Sequence, residues 1–463
     1  MRKKLVIPIE IKKRELKGAC VLASIFIRNG WTVYIGQKQH LFPHISSFSR
    51  SVWYLKSIVP GENSLLKNLK KNNHFLVSYD AEGLILNPHN KYGYKTRFSK
   101  ENIDLTDLIF FWGKTQYNEF SKTFKNYKKK IFIVGSQIFD SYKIFKRRQI
   151  KEKNQILFIS TFTTQIPINK KSELQILDYT TKNQRVGDLR KVLNAWSTLT
   201  TKMFNFFLDL ILFMNGKLDK KIKVVIRPHP AEDKFFWIKF KKDNSLNLII
   251  DNKTDLIDQM LESRYVVHFL STTSILSNFL KKKTILYSNL KNIEINKYFN
   301  SISKNVSIHY FDKKRIIKDL NENNLKSKNP VKHLENAVDG FYSNDKFYSS
   351  KKIFFEINKR FKNQKAEHDK DPFNYSHLFN SLVYQLKHLV GYLIAKGYIF
   401  LGRKSSRFNH LTYRDGLFSF NREKSLKWDN TSIEDIRYLF RKINKDKINL
   451  NIKKHKSGFF KIY

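Results

Sequence analysis

The sequence predicts an α/β protein with two successive Rossmann-like domains, each built on a parallel sheet. Short apolar runs rich in Val and Ile alternate with segments whose apolar residues have helical spacing. A stretch dense in Lys and Arg, residues 139–153, interrupts this alternation and predicts a domain boundary near 150. Two of the later apolar runs stop on polar clusters, and open parallel sheets form their ligand sites at such strand ends.

The first domain is predicted to span residues 1–150. A strand over 5–9, a helix over 17–29 and a strand over 31–35 form a unit typical of a parallel sheet. Three more strands are predicted, at 74–78, 108–112 and 131–134. The first unit lacks the G-x-G-x-x-G pattern, so no dinucleotide site is predicted there.

The second domain is predicted to span residues 151–345, with a strand over 155–160 and a long helix within 184–217. Its remaining strands are predicted at 223–226, 246–250, 265–268 and 284–287. Residues 346–463 are predicted to form a helical, basic C-terminal extension whose last twenty residues fray or lie on a surface. Within it, residues 379–401 are apolar but broken by lysines, which predicts a core or interfacial helix.

The formal charge of +47 comes mostly from lysines spread over the whole chain. Because they are not gathered in one arm or motif, no specific nucleic-acid binding is predicted, whereas attraction to anionic membranes or substrates is. A single cysteine, Cys20, excludes an intramolecular disulfide and a cysteine-clustered zinc site. No apolar stretch reaches the ~18 residues of a membrane span, so we expect a cytoplasmic protein. The basic surface and the segment 379–401 predict peripheral attachment to the inner face of the cytoplasmic membrane.

The polar clusters at two strand ends are the central feature of the chain. The run 223–226 stops at Arg227-Pro228-His229-Pro230, and the run 265–268 is followed by Ser271-Thr272-Thr273. The cation and imidazole supply positive charge, and hydroxyls at a helix start bind phosphate, so a phosphorylated ligand is predicted. The alternatives are a rigid turn and a plain helix cap. His268 is equally compatible with a core histidine and a ligand contact.

Several stretches, in the same order along the chain, resemble those of the bacterial surface carbohydrate biosynthesis proteins, a family assigned to the GT-B glycosyltransferases. They are Ile7–Glu10 with Lys13–Leu16, Gly30–Gly36, Asp80–Gly83, Trp112-Gly113, Arg227–Pro230, Ser271–Thr273 and Lys427–Ser432. The resemblance implies a GT-B-like fold, in which the two Rossmann-like domains face each other across a ligand cleft.

The Glu-Gly, His-Pro and Ser-Thr motifs are also similar to those of bacterial sialyl- and Kdo-transferases, which use CMP-activated sugars. That similarity implies that Asp80 or Glu82 activates the acceptor hydroxyl and that His229 stabilises the departing CMP. The implied donor-binding residues are Arg227, His229, Pro230, Ser271, Thr272 and Thr273. Ala81 stands where the sialyltransferase motif has a second acid, so the identity of the base stays open.

Acceptor-binding candidates follow the first strand. Glu10 is predicted to line the cleft, and Lys13 and Arg14 are candidates for binding an anionic acceptor, with a solvated charge pair as the alternative. Residues 135–140 depart from the Gly-Asn-Pro-Arg-like turn that the family commonly has there.

These features predict a glycosyltransferase of surface polysaccharide or lipopolysaccharide synthesis. We expect it to transfer Kdo or a nonulosonic acid from a CMP-linked donor to a glycan or lipid-linked acceptor, without metal or cofactor. The His-Pro and Ser-Thr pair is also similar to that of CDP-glycerol glycerophosphotransferases, so a CDP-polyol phosphotransferase is one alternative. A non-catalytic, membrane-associated component of polysaccharide assembly or export is another.

Overall fold

The computed structural model describes residues 2–81, 97–145, 150–167, 187–230, 232–288, 301–326, 329–362, 371–373, 428, 431–444 and 450–463. Glu82 and the predicted helix 379–401 lie outside these ranges. The described chain forms two compact units. Unit 1 contains the described residues up to Ala81, from Arg97 to Phe145 and from Val338 onward, and unit 2 contains those from 150 to Ala337.

Unit 1 is built on a sheet with six parallel strands in the order β2-β1-β3-β4-β5-β6. The strands are β1 (Lys4–Ile9), β2 (Thr32–Gln37), β3 (Val52–Leu55), β4 (Phe75–Tyr79), β5 (Leu108–Phe111) and β6 (Ile131–Ile133). The chain changes direction of travel across the sheet between β1 and β3. Every residue of the first five strands is buried, as parallel strands covered on both faces require.

Helices cover this sheet, and their bounds are α1 (Lys12–Arg28), α2 (Lys38–Leu41), α3 (Asn63–Lys71), α4 (Lys100–Leu105), α5 (Lys114–Thr123), α6 (Gln137–Phe145), α14 (Tyr348–Arg360) and α15 (Ile433–Ile443). The central one is α1, which packs against α6, α14 and α15. Its start is held by Glu15, whose carboxylate accepts hydrogen bonds from the backbone N–H groups of Glu10 and Ile11.

The C-terminal region differs from the predicted separate extension at 346–463. Helices α14 and α15 pack on α1 and belong to unit 1. The end of the chain does not fray: β13 (Ile452–Lys454) and β14 (Phe460–Ile462) form a hairpin, and β14 pairs antiparallel with β2. A Cβ on Gly36 would lie 2.3 Å from the Cβ of Phe459, so this close approach requires glycine.

Unit 2 has a six-stranded, fully parallel sheet in the order β9-β8-β7-β10-β11-β12. Its strands are β7 (Lys153–Ile159), β8 (Lys223–Arg227), β9 (Ile249–Ile250), β10 (Ser263–His268), β11 (Lys283–Tyr287) and β12 (Ile308–Tyr310). Numbered within the unit this is the order 3-2-1-4-5-6 of dinucleotide-binding folds. The predicted α/β class with two parallel-sheet, Rossmann-like domains is therefore confirmed.

The helices of unit 2 are α7 (Gly187–Met214), α8 (Lys234–Asp243), α9 (Leu256–Glu262), α10 (Thr273–Phe279), α11 (Ser301–Asn305), α12 (Lys313–Asn321) and α13 (Val331–Ala337). An aromatic cluster joins them to the sheet. Phe207 of α7 packs edge-to-face against Phe158 of β7 and against Trp237 of α8, with ring centroids 5.6 Å apart in both pairs. All three rings are buried, so the cluster fixes α7 and α8 on the sheet.

Candidate functional site

The carboxyl edge of the sheet in unit 2 brings the two predicted donor motifs close together. Ile159, at the end of β7, is the register partner of Arg227 in β8 and of His268 in β10. With strands ~4.8 Å apart, the Cα atoms of Arg227 and His268 lie roughly 10 Å from each other. The chain reverses its direction of travel between β7 and β10, and such a switch point is where open α/β sheets bind ligands.

The side chains of the His-Pro motif point to different surroundings. Pro228 is buried, whereas His229 and Pro230 are exposed on the turn after β8. The guanidinium of Arg227 donates through Nη1 to the Thr254 carbonyl at 2.7 Å and to Gln259 Oε1 at 2.8 Å. Burial lowers the pKa of Arg227. Arg227 thus supports the loop before α9, and its role as a donor ligand stays a prediction.

A buried carboxylate that the sequence analysis missed, Glu232, holds this turn in place. It is fully buried and accepts four hydrogen bonds. Oε1 accepts from Ser160 Oγ at 2.7 Å and from the Phe162 N–H at 2.5 Å. Oε2 accepts from the His229 N–H at 3.2 Å and from Trp237 Nε1 at 3.1 Å. Glu232 therefore joins the segment after β7, the His-Pro turn and α8.

The environment of Glu232 also affects its protonation. Burial raises the pKa of the carboxyl group, although its four hydrogen bonds work in the opposite direction. The only signal in the sequence is an acid two positions after Pro230, which by itself predicts an exposed helix start.

The Ser-Thr-Thr motif lies across β7 from the His-Pro turn and bonds mainly within itself. Ser271 Oγ accepts from Thr273 Oγ1 at 2.8 Å and from the Thr273 N–H at 3.3 Å. The Ser271 carbonyl accepts from Ser303 Oγ at 2.9 Å. Leu270, just before the motif, has a φ of 53°. A non-glycine residue in this left-handed region is uncommon, so the surrounding contacts hold the turn in a strained shape.

His268 is a core histidine rather than an exposed ligand contact. It is fully buried, and its Nε2 lies 2.7 Å from Ser307 Oγ. That hydroxyl donates its hydrogen to the Ser303 carbonyl at 2.6 Å, so His268 Nε2 must carry the proton of the shared hydrogen bond. Burial lowers the pKa of His268 to about 3, and the imidazole is neutral near pH 7.

The predicted acceptor residues lie at the carboxyl edge of β1 in unit 1. Glu10 follows β1, at the switch point of this sheet, and pairs at 2.7 Å with Lys56, which follows the neighbouring strand β3. Lys13 and Arg14 are exposed in the first turn of α1, and Arg14 lies 3.5 Å from Glu15. The structure thus brings Glu10 to a typical ligand position and leaves the two cations on the surface.

The predicted base Asp80 directly follows β4 and is fully buried. Its carboxylate is paired with Arg97, whose Nε lies 3.3 Å from Oδ2, and it accepts from Gln116 Nε2 at 3.1 Å. The oxygen of the same amide, Gln116 Oε1, accepts from the Trp112 N–H at 3.0 Å. Asp80 is therefore linked to the end of β5, while the alternative base, Glu82, lies outside the described residues.

Within the described ranges, no three His, Cys, Asp or Glu side chains are grouped so as to hold a metal ion. The helices described here include none that is both long and apolar enough to cross a membrane.

No protein-family model and no curated protein matches the chain. Among solved structures it is similar to a UDP-GlcNAc 2-epimerase from Neisseria meningitidis bound to UDP-GlcNAc, at 11% identity and a TM-score of 0.46, over 78% of this chain and 100% of that chain. It is also similar to the wall teichoic acid polymerase TagF with CDPG, at 14% identity and a TM-score of 0.45, over 77% of this chain and 88% of that chain.

Proposed function

We propose that this protein is a glycosyltransferase of surface polysaccharide or lipopolysaccharide synthesis that uses a CMP-linked donor sugar of the Kdo or nonulosonic type. The observation that carries the proposal is the shared register partner Ile159, which sets the His-Pro and Ser-Thr-Thr turns on either side of β7 at a switch point. The motif resemblance supplies the identity of the nucleotide.

In the proposed reaction, the acceptor oxygen forms a bond to the anomeric carbon while the bond from that carbon to the donor phosphate breaks. The acceptor proton passes to Asp80 or Glu82, and CMP leaves with the electron pair. His229, exposed on its turn, offers an imidazole to the phosphate that gains negative charge. The Ser271 hydroxyl, which accepts from Thr273 Oγ1, lies at the same sheet edge and can donate its own hydrogen to a phosphate oxygen.

Unit 1 is proposed to bind the acceptor. Glu10 lies at the switch point of its sheet, and Asp80 follows β4 at the same carboxyl edge. The acceptor is proposed to be a glycan or a lipid-linked glycan that is reached from an anionic membrane surface, in keeping with the charge of +47. Lys13 and Arg14 remain candidates for contacts with anionic groups on this acceptor.

Calorimetric titration of the full chain with CMP, CDP, UDP and GDP tests the donor class. We expect selective binding of CMP, weakened about tenfold or more in His229→Ala, because one charge-assisted contact to phosphate is lost. His333→Ala is the matched control, since His333 is likewise an exposed histidine of unit 2.

Each other result changes the proposal in a defined way. A preference for CDP with transfer of a polyol phosphate would support the phosphotransferase alternative. Tight binding of UDP or GDP would discard the CMP-sugar donor. Absence of nucleotide binding would favour the non-catalytic assembly role, which would also survive combined substitution of Asp80, Glu82 and His229.

A further inference from the structure

Helix α8 (Lys234–Asp243) presents two large apolar side chains to solvent directly after the His-Pro turn. Trp237 faces the core and is fully buried, whereas Phe235 is 78% exposed and Ile238 is 54% exposed. A spacing of three residues places both on one side of the helix. Single exposed apolar residues need no explanation, but two neighbouring ones on a face so accessible to solvent point to a binding surface.

The same helix carries four exposed lysines, Lys234, Lys239, Lys241 and Lys242. Within the described part of the chain, the ammonium group of none of the four takes part in a hydrogen bond or an ion pair. The single acid of the helix, Asp243, is its last residue. The face around Phe235 and Ile238 therefore combines protruding apolar groups with positive charge that the described protein does not neutralise.

Helix α14 of unit 1 shows that this combination is not a general result of the basic composition. It also exposes a large apolar side chain, Phe355, at 61%. Three of its four cations, however, are neutralised locally: Lys351 and Lys352 pair with acids at 2.7 and 2.6 Å, and Arg360 pairs with Glu356. The fourth, Lys359, has its Nζ 5.9 Å from the centroid of the Phe355 ring. Of these two helices, only α8 combines several cations that lack an acidic partner with two adjacent exposed apolar side chains.

We infer that the exposed face of α8 docks on an anionic membrane surface. Phe235 and Ile238 enter the boundary between head groups and acyl chains, and the lysines bind the lipid phosphates, which is the arrangement of interfacial helices. Phe235 lies in the first turn of α8, at the same sheet edge as His229. The inference extends the proposed function, because docking there would hold the site near a lipid-linked acceptor.

Co-sedimentation of the full-length protein with vesicles tests this surface. We expect binding to vesicles of phosphatidylcholine with phosphatidylglycerol, little binding to phosphatidylcholine alone, and a decrease as salt is raised. The double variant Phe235→Ser/Ile238→Ser should bind about tenfold more weakly, since its apolar insertion is lost. Replacing the four lysines by Gln should weaken binding roughly fivefold per lysine.

Phe355→Ser is the matched control and should bind vesicles like the unaltered protein. Equal binding by the Phe235→Ser/Ile238→Ser variant, equal weakening by Phe355→Ser, or no preference for anionic vesicles would each overturn the inference. Nucleotide titration of the same double variant separates the two proposals. Loss of vesicle binding with unchanged CMP binding supports the docking surface. If neither the unaltered protein nor any variant binds CMP, the proposed reaction is wrong and the docking surface is unaffected.

Discussion

The carboxyl edges of the two sheets hold their acids in different ways. In unit 2, Glu232 is buried and accepts from four uncharged donors. In unit 1, Asp80 is paired with Arg97 and Glu10 with Lys56. Neutral donors disperse the charge of a carboxylate without cancelling it, whereas a cationic partner cancels it. The carboxyl edge of unit 2, called the neutral edge below, therefore depends on uncharged hydrogen-bond donors. The carboxyl edge of unit 1, called the ionic edge below, depends on ion pairs.

This difference bears on the ligand that each edge is proposed to receive. A site for phosphate should not present an accessible carboxylate, and Glu232 is withdrawn from solvent while His229 stays exposed. A site that activates an acceptor hydroxyl needs a carboxylate, and unit 1 has Glu10, which is partly exposed, and Asp80, which is buried beside Arg97, at its edge. Substitutions at each edge test whether unit 2 relies on uncharged donors and unit 1 on ion pairs.

The largest expected effect concerns His268, at the neutral edge. Its pKa is about 3 in the fold because of burial, against an ordinary value near 6.5 in the unfolded chain. Between these two values the unfolded state binds more protons, so the fold loses stability as the pH falls. We expect this residue to account for about 5 kcal/mol of unfolding free energy, present above pH 6.5 and lost by pH 3.

Denaturant unfolding of the unaltered protein and of His268→Gln, from pH 4 to pH 7, checks this prediction. Gln can still donate to Ser307 but does not titrate, so the advantage of the unaltered protein should shrink steadily as the pH falls. His74, whose pKa burial lowers to about 4, contributes in both proteins and cancels from the difference. Parallel curves for the two proteins would show that His268 is not buried as a neutral group.

The second prediction concerns Glu232→Gln, which changes a carboxylate into an amide of the same shape. Each carboxylate oxygen accepts two donors: Ser160 and Phe162 on one, His229 and Trp237 on the other. An amide nitrogen cannot accept, so two buried donors lose their acceptor and face another donor. We expect a loss of about 4 kcal/mol in unfolding free energy, measured by urea unfolding.

Glu322→Gln is the control for Glu232→Gln, because Glu322 is exposed in the same unit and its substitution should be nearly neutral. CMP titration is a second measurement, because the His229 N–H is one of the donors to Glu232 and the His229 side chain is proposed to contact the donor phosphate. If Glu232→Gln unfolded like the unaltered protein, the proposed role of Glu232 in fixing the His-Pro turn would be wrong.

The fold class could be predicted from the sequence because it follows from local patterns of apolar residues in strands and helices. The β-branched run 223–226 predicts β8, and the polar residues after it predict a strand end. β3 (Val52–Leu55) was missed, although it stands at the switch point of unit 1, because a run of only four residues gives a weak periodic signal. The hairpin β13–β14 was missed because its stability comes from pairing with β2, which is remote in sequence.

The candidate site could be predicted only as far as residue type and strand order determine it. The sequence pattern alone predicted that His229 and Ser271 each follow the end of a strand. It could not show that Arg227 bonds to Thr254 and Gln259, since these partners lie in the loop before α9 and in α9 itself, both later in the chain. Glu232 was missed for the same reason. Its burial and its hydrogen-bond donors result from tertiary contacts, whereas the local sequence is typical of an exposed helix start.

The smallest effect is expected at the ionic edge, where the pair of Asp80 and Arg97 is the test. Arg97→Met keeps most of the side-chain volume but leaves the buried Asp80 without its cation, which should cost about 3 kcal/mol in urea unfolding. Adding Asp80→Asn removes the charge that Arg97 balanced, so the double variant should recover most of this loss. Such recovery is specific to an ionic edge, because at Glu232 an amide is expected to be harmful. If the double variant were as unstable as the sum of the two single variants, charge matching would not hold this edge, and the contrast between the two units would fail.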